Sequence, residues 1–257
     1  MDKKGKVILF GKTGEGKSTI ANVLITGGID EQPFPVGHGM TGCTSRVHMQ
    51  CARGWTVTDT AGLGEAEGGK VSTEHAEKII IDFLKSARGE YSHIIYVKKA
   101  TNRFDVIDEK IWKIFERVFI GAEECFTVLF TEGTSSWLEE NWESLPSWVK
   151  NRGEENVLIT NIPPIDHRPV REKRNKAFRA EAMARLEEDL CKTFEARGFK
   201  YSIPNISKMN DKDLKKESKS VLDFIMMIFN NVVRPLSIAA NFAVAVGSIC
   251  MFITTIM

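Results

Sequence analysis

Residues 11–18, GKTGEGKS, follow the apolar run VILF at 7–10 and lead into a helix-forming stretch at 18–24. No other feature narrows the fold as far. The pattern G-x-x-x-x-G-K-[ST] is met in full by Gly11, Gly16, Lys17 and Ser18, in the strand-loop-helix context that gives the pattern its meaning. Gly14 and Gly16 let the backbone come close to a ligand, so N–H groups from Thr13 to Lys17 can converge on a β-phosphate at the head of a helix. The candidate cradle is therefore Gly11, Lys12, Thr13, Gly14, Glu15, Gly16, Lys17, Ser18 and Thr19. Lys17 would stand as a point charge between the β- and γ-phosphates, and the Ser18 hydroxyl is a candidate Mg²⁺ ligand.

A chance glycine-rich turn would come without a second element, and one is present. Asp59-Thr60-Ala61-Gly62 is a D-x-x-G at the end of an alternating apolar strand, about 40 residues after the loop. A carboxylate there can hold the metal's hydration shell, and the Gly62 N–H can meet the γ-phosphate and register its loss. The loop between the two motifs should supply a threonine that closes over Mg²⁺. Thr41 and Thr44 are the candidates, and Gly39 and Gly42 on either side favour Thr41. Leu63 stands where a water-orienting glutamine would be expected, so intrinsic turnover should be slow.

Strand and helix patterns alternate along the chain, which predicts an α/β fold with a mostly parallel sheet covered on both faces. Strands are expected at 7–10, 44–51, 55–59, 92–97, 126–130 and 156–160, and helices at 18–24, 73–87, 105–119 and 170–197. The turn at Arg53-Gly54 is so short that the strands flanking it must run antiparallel. Basic clusters in 170–197 read as a solvated helix face. With 35 basic against 34 acidic residues, net charge gives no reason to propose nucleic acid as a partner. Five scattered cysteines, none at zinc-ligand spacing, read as reduced thiols of a cytosolic domain. The N-terminal apolar run is too short for a secretory signal.

The last 22 residues, 236–257, contain no Asp, Glu, Lys or Arg. As a helix they would span a bilayer core of about 30 Å. They read either as a C-terminal membrane anchor or as a helix packed on the domain or on a second protomer. The stretch 222–229 is apolar too, but Asp223 interrupts it, which suits a surface-lying amphipathic segment.

The blocks GKTGEGKSTIANVL (11–24), MTGCTS (40–45), TVTDTAGLGE (56–65), YSHIIYVKKATNRF (91–104) and FTVLFTEGT (126–134) together resemble the AIG-type, GIMAP-like GTPases, relatives of the septin and chloroplast Toc GTPases. The resemblance covers about residues 5–200, and its 91–104 block has no counterpart in ordinary small GTPases. It implies a P-loop NTPase G domain over 1–205, a helical linker over 206–235 and a membrane segment over 236–257. It also implies GTP and GDP as ligands with Mg²⁺, and self-association controlled by nucleotide. Within it, Thr131, Glu132 and Asn161 are the candidate base contacts, although the 131–134 segment lacks the aspartate that normally reads guanine. Arg103, in the most characteristic block, is a candidate catalytic residue acting on the phosphates of a second copy, the alternative being a local salt bridge to Asp105. Three functions remain open: a membrane-associated GTPase switch or scaffold, a nucleotide-binding module with negligible hydrolysis, and a P-loop ATPase or kinase.

Overall fold

The computed structural model describes residues 4–12, 14–28, 33–34, 48–59, 90–119, 121–165, 168–197, 201–202 and 216. Six strands form one sheet: β1 (Gly5–Phe10), β2 (His48–Ala52), β3 (Trp55–Asp59), β4 (His93–Lys99), β5 (Phe126–Thr131) and β6 (Val157–Thr160). Their spatial order is β2-β3-β1-β4-β5-β6. All neighbours are parallel except the edge pair β2 and β3, joined through Arg53 and Gly54. Strand order reverses direction between β1 and β4, so the carboxyl ends of these two strands open the crevice in which such sheets place ligands.

Helices α1 (Lys17–Thr26), α2 (Val106–Val118), α3 (Ser135–Asn141), α4 (Ser147–Lys150) and α5 (Pro169–Arg197) cover the sheet. Period-two alternation sorts the strand residues into two unlike cores. On one face Val7, Leu9, Val57, Ile95 and Leu129 pack with Ile20 and Leu24 of α1 and Leu186 and Leu190 of α5. On the other the core is aromatic. Phe10 stacks on Phe115 of α2 at 3.8 Å between ring centroids and meets the edge of Tyr96 at 5.3 Å, while Trp112 lies 5.1 Å from Phe126 and 4.8 Å from Trp148. Each fully buried ring of this kind contributes roughly 1.5–3 kcal/mol through burial alone.

The 29-residue helix α5 is about 43 Å long at 1.5 Å per residue and is fastened near its centre. Glu187 there accepts from Lys4, from Trp55 Nε1 at 2.7 Å and from Arg53 at 3.3 Å. Burial works against the Glu187 carboxylate, but these donors outweigh it and hold its pKa below the ordinary glutamate value. The basic residues Arg171, Lys173, Arg174 and Lys176 are exposed, as a solvated helix face requires.

Most expected elements are present, with shifted ends. The strand expected over 44–51 is described as His48–Ala52, and the helix expected over 73–87 lies outside the described residues. The strand expected to stop at Val97 continues to Lys99. Lys98 does not end it because this ammonium is fully buried and paired, as described below. Helices α3 and α4, together with a two-residue ladder between Glu90–Tyr91 and Tyr201–Ser202, had no counterpart in the sequence reading. No described helix is long and apolar enough to cross a membrane, and the segment 236–257 lies outside the described residues.

Candidate nucleotide-binding site

β1 ends at Phe10, and the chain turns at Gly11 with φ +141°. A Cβ there would sit 2.4 Å from the carbonyl oxygen of Val97, so only glycine lets the loop lie against β4. Gly16, at φ +100°, is the N-cap of α1, which has no side-chain cap and no acidic residue in its first turn. Such a helix end leaves its first N–H groups and the positive pole of its dipole for an anion. Lys17 begins the helix, is 5% exposed, and its Nζ reaches back to the carbonyls of Gly11 at 3.1 Å and Lys12 at 2.8 Å. The ammonium thus lies over the mouth of the loop.

The second motif arrives where the first needs it. Asp59 ends β3, next to β1 in the sheet, and the Ser18 hydroxyl donates to its Oδ2 at 2.6 Å across 41 residues of sequence. A serine oxygen and a buried carboxylate beside a buried lysine are hard donors of the kind Mg²⁺ takes, so the residues present fit a Mg²⁺-triphosphate. Ser18 would ligate the ion and Asp59 would hold its water shell. When bound, the ion neutralises charge on the phosphate oxygens.

The side chains of three candidates are engaged within the protein. The carboxylate of Glu15 is 2% exposed and accepts from the Lys99 N–H at 2.6 Å, from Lys98 Nζ at 3.3 Å and from Asn102 Nδ2 at 3.2 Å. Its backbone carbonyl accepts from the Thr131 hydroxyl at 2.8 Å. Lys12 donates to Asp105 at 2.7 Å, and burial, which disfavours its charge, is outweighed by Asp105 and Asp108, so its pKa is raised. Asp105 and Asp108 also cap α2 reciprocally: the Asp108 N–H donates to Asp105 Oδ1 at 3.2 Å, and the Asp105 N–H to Asp108 Oδ2 at 2.8 Å. The side chains of Glu15, Lys12 and Thr131 therefore fasten the loop to β4, α2 and β5.

Sequence reading missed the hub of this network, Lys98. Its three protons serve Glu15, Asp108 at 3.2 Å and the Arg103 carbonyl at 3.1 Å, and the Phe104 ring lies 5.3 Å from its Nζ. Tyr96 also donates to Asp108. Burial first, then the Asp108 charge, pushes the Tyr96 phenol far above its ordinary range, so it stays a donor. The available signal was a lysine on the inward register of an apolar strand, followed ten residues later by an aspartate in the first turn of a helix. Arg103 itself is exposed, and Asp105, offered above as its salt-bridge partner, is held by Lys12.

From the loop a cleft of about 370 Å³ runs between α1 and the ends of β5 and β6, lined in part by Gly16, Thr19, Thr131, Glu132, Thr160 and Asn161. The structure thus brings the candidate base contacts to the same cleft as the phosphate loop. Thr13, Thr41, Thr44, Gly62 and Leu63 lie outside the described residues.

Comparison with solved structures finds similar folds at low identity. Toc33 from Arabidopsis thaliana in complex with GDP and Mg²⁺ aligns at TM-score 0.48 and 18% identity, over 77% of this chain and 87% of that one. Toc33 with Mg²⁺ and GMPPNP gives TM-score 0.48 and 18% identity, over 76% and 86%. Aquifex aeolicus Era bound to GDP·AlF₄⁻ gives TM-score 0.47 and 15% identity, over 74% and 56%. Comparison with curated protein sequences finds no significant match. The AIG1 family profile matches residues 5–163, which takes in the phosphate loop, Asp59, the Lys98 network and Asn161. With well over half of its 257 residues inside that match, and with a P-loop G-domain fold, the chain belongs to the AIG1 family.

Proposed function

We propose that this protein binds GTP and GDP with Mg²⁺ and hydrolyses GTP slowly, as a switch or scaffold. The observation that carries the reading is the meeting of Ser18 and Asp59 at 2.6 Å beside Lys17, at the uncapped head of α1. Two separated motifs supply both a phosphate seat and a hard-cation seat there. Titration of a fluorescent GDP analogue, displaced by GTP with Mg²⁺ and again with EDTA, tests it. Displacement by GTP that weakens at least tenfold on removing Mg²⁺ is expected, and failure of GTP to displace the analogue would overturn the reading.

Slow turnover rests on Leu63, which cannot orient water. A second copy could supply what is missing through Arg103, exposed on the crevice edge of the sheet, with its carbonyl held by Lys98 and neighbouring Asn102 held by Glu15. An arginine acting in this way contributes about 10³–10⁵ in rate elsewhere. Turnover per molecule should then rise with protein concentration in single-turnover assays, and Arg103→Ala should abolish the rise while nucleotide affinity stays near wild type. A concentration-independent rate would favour the non-hydrolysing module instead.

The charge-free segment 236–257 supports a further proposal, that the protein is held at a membrane by its C-terminus with the G domain in the cytoplasm. Deleting 236–257 should move the protein from the membrane pellet to the soluble fraction. Full-length protein that fractionates as soluble without detergent would remove the anchor.

A further inference from the structure

We infer that Lys98 is a positioning residue for the arginine that one copy would present to the phosphates of another, acting through the backbone of the connection between β4 and α2. The inference rests on the role proposed above for Arg103 and adds what holds that residue in place. Period two along β4 puts Tyr96 and Lys98 on the aromatic face of the sheet, opposite Ile95 and Val97, with Lys98 at the carboxyl end of the strand. Its side chain is fully buried, with Glu15 Oε1 at 3.3 Å and Asp108 Oδ1 at 3.2 Å. Well-packed apolar side chains of similar volume often stabilise a fold as much as a buried ion cluster does, because desolvation of the ions offsets much of their attraction. What the ammonium adds here is geometry.

One ammonium joins three segments: the phosphate loop through Glu15, the first turn of α2 through Asp108, and the connection between β4 and α2 through the Arg103 carbonyl at 3.1 Å. The neighbours of Arg103 are fastened separately. The Ala100 N–H donates to the Thr131 carbonyl at 2.9 Å, Asn102 Nδ2 to Glu15 Oε1 at 3.2 Å, and the Asp105 N–H to Asp108 Oδ2 at 2.8 Å. The Phe104 ring stands edge-on to Phe130 and Trp148, at 6.0 and 5.4 Å between centroids. At Arg103 the side chain is exposed, and it is the bond from Lys98 that sets the direction of the carbonyl. That direction fixes ψ of Arg103, so that between a held Asn102 and a held Phe104 the stem of the guanidinium leaves the backbone one way. Without the ammonium the peptide between Arg103 and Phe104 is free to turn, and a misplacement of about 1 Å can cost 10²-fold in rate.

Lys98→Met combined with Asp108→Asn cuts this tie and removes one charge of each sign. Methionine fills the space of the lysine stem, asparagine still accepts from the Asp105 N–H, and Glu15 keeps the Lys99 N–H and Asn102. The test separates the copy that donates the arginine from the copy that hydrolyses. Full-chain Arg103→Ala protein loaded with radiolabelled GTP is the acceptor, and full-chain protein saturated with Mg²⁺ and a non-hydrolysable GTP analogue is the donor, its folding checked by a thermal melt. Release of labelled phosphate is followed against donor concentration. The maximal rate given by the double variant should lie at least about tenfold below that given by wild type, with the half-saturating concentration unchanged within about threefold, because docking is kept and aim is lost. An equal maximal rate would overturn the inference, as would a rise in the half-saturating concentration alone, which would make Lys98 part of docking. If the double variant does not fold, Lys98→Met combined with Glu15→Gln cuts the same tie beside the other carboxylate, and the same outcomes decide. A wild-type donor that gives no stimulation would overturn the Arg103 reading and this one together.

Discussion

The two ends of the nucleotide cleft are built on opposite principles. At the phosphate end, hydrogen bonds and an ion pair fasten the loop to β4, α2 and β5. The Glu15 side chain runs to β4 and that of Lys12 to Asp105 at the head of α2, while the Thr131 hydroxyl reaches from the end of β5 to the loop. At the base end Asn161 is exposed and Glu132, half-exposed, is already partnered by Lys99. Rigidity is concentrated where charge must be stabilised. The contrast implies that phosphate contacts dominate affinity and that substitutions should weigh very differently at the two ends.

The largest effect is expected from Lys17→Ala or Ser18→Asn. Each removes a charge or a metal ligand at the head of α1 without emptying core volume, so triphosphate affinity should fall by at least about 100-fold, or roughly 2.7 kcal/mol. Titration with a fluorescent triphosphate analogue and a thermal melt would show weak binding in a folded protein. Affinity within tenfold of wild type in both variants would break the comparison at its strong end.

That end is also the part most legible in the sequence, because the spacing of Gly11, Gly16, Lys17 and Ser18 prescribes a strand, a turn and a helix together. Asp59 was legible for a related reason: its distance from the loop and its place at the end of an alternating strand put it beside β1. Side-chain traffic beneath the loop was not legible. A glutamate within GKTGEGKS reads as a solvated loop residue until the fold brings Lys98 and Lys99 to it from 83 and 84 residues away. Lys98 likewise reads as the polar end of a strand, since burial of an ammonium is excluded until Glu15 and Asp108 are known to flank it. α3 went unread because Thr134 signals a helix cap only when SSWLEEN is credited with a helix barely two turns long.

Glu15→Ala tests whether the hidden network matters to the phosphate seat. It would leave the half-buried Lys99 N–H without the acceptor at 2.6 Å and deprive Lys98 of one of its two carboxylates. Because Asp108 still serves Lys98, the cost should be near 2 kcal/mol, a fall in Tm of roughly 4–8 °C. Triphosphate affinity should fall about tenfold as the loop loses its hold on β4. Glu15→Gln keeps an acceptor for the Lys99 N–H and should recover most of both losses. An alanine variant with unchanged Tm and affinity would show that the network is incidental.

Thr131→Val is expected to act more weakly. The valine fills the same space beside Gly16 but leaves the Glu15 carbonyl without its 2.8 Å donor, at a cost of about 1 kcal/mol in stability. Since the hydroxyl faces the loop and not the base, GTP and ITP affinities should fall by the same factor. A change in their ratio would show that Thr131 reads the base.

The smallest effect is expected from Asn161→Ala, the substitution that bears most directly on the weak end. Asn161 follows β6, lines the cleft and is exposed, so any hydrogen bond it gives a base competes with one to water. The net worth of such a contact is about 0.6 kcal/mol, so GTP affinity should fall by about threefold, against at least 100-fold for Lys17→Ala. The fall should also be nearly equal for GTP and ATP, because an exposed amide that offers both donor and acceptor can meet either edge. Binding isotherms for both nucleotides on wild type and variant give the two ratios directly. A loss above about 30-fold, or one confined to GTP, would place a committed guanine contact at Asn161, and the two ends of the cleft would then be alike in kind.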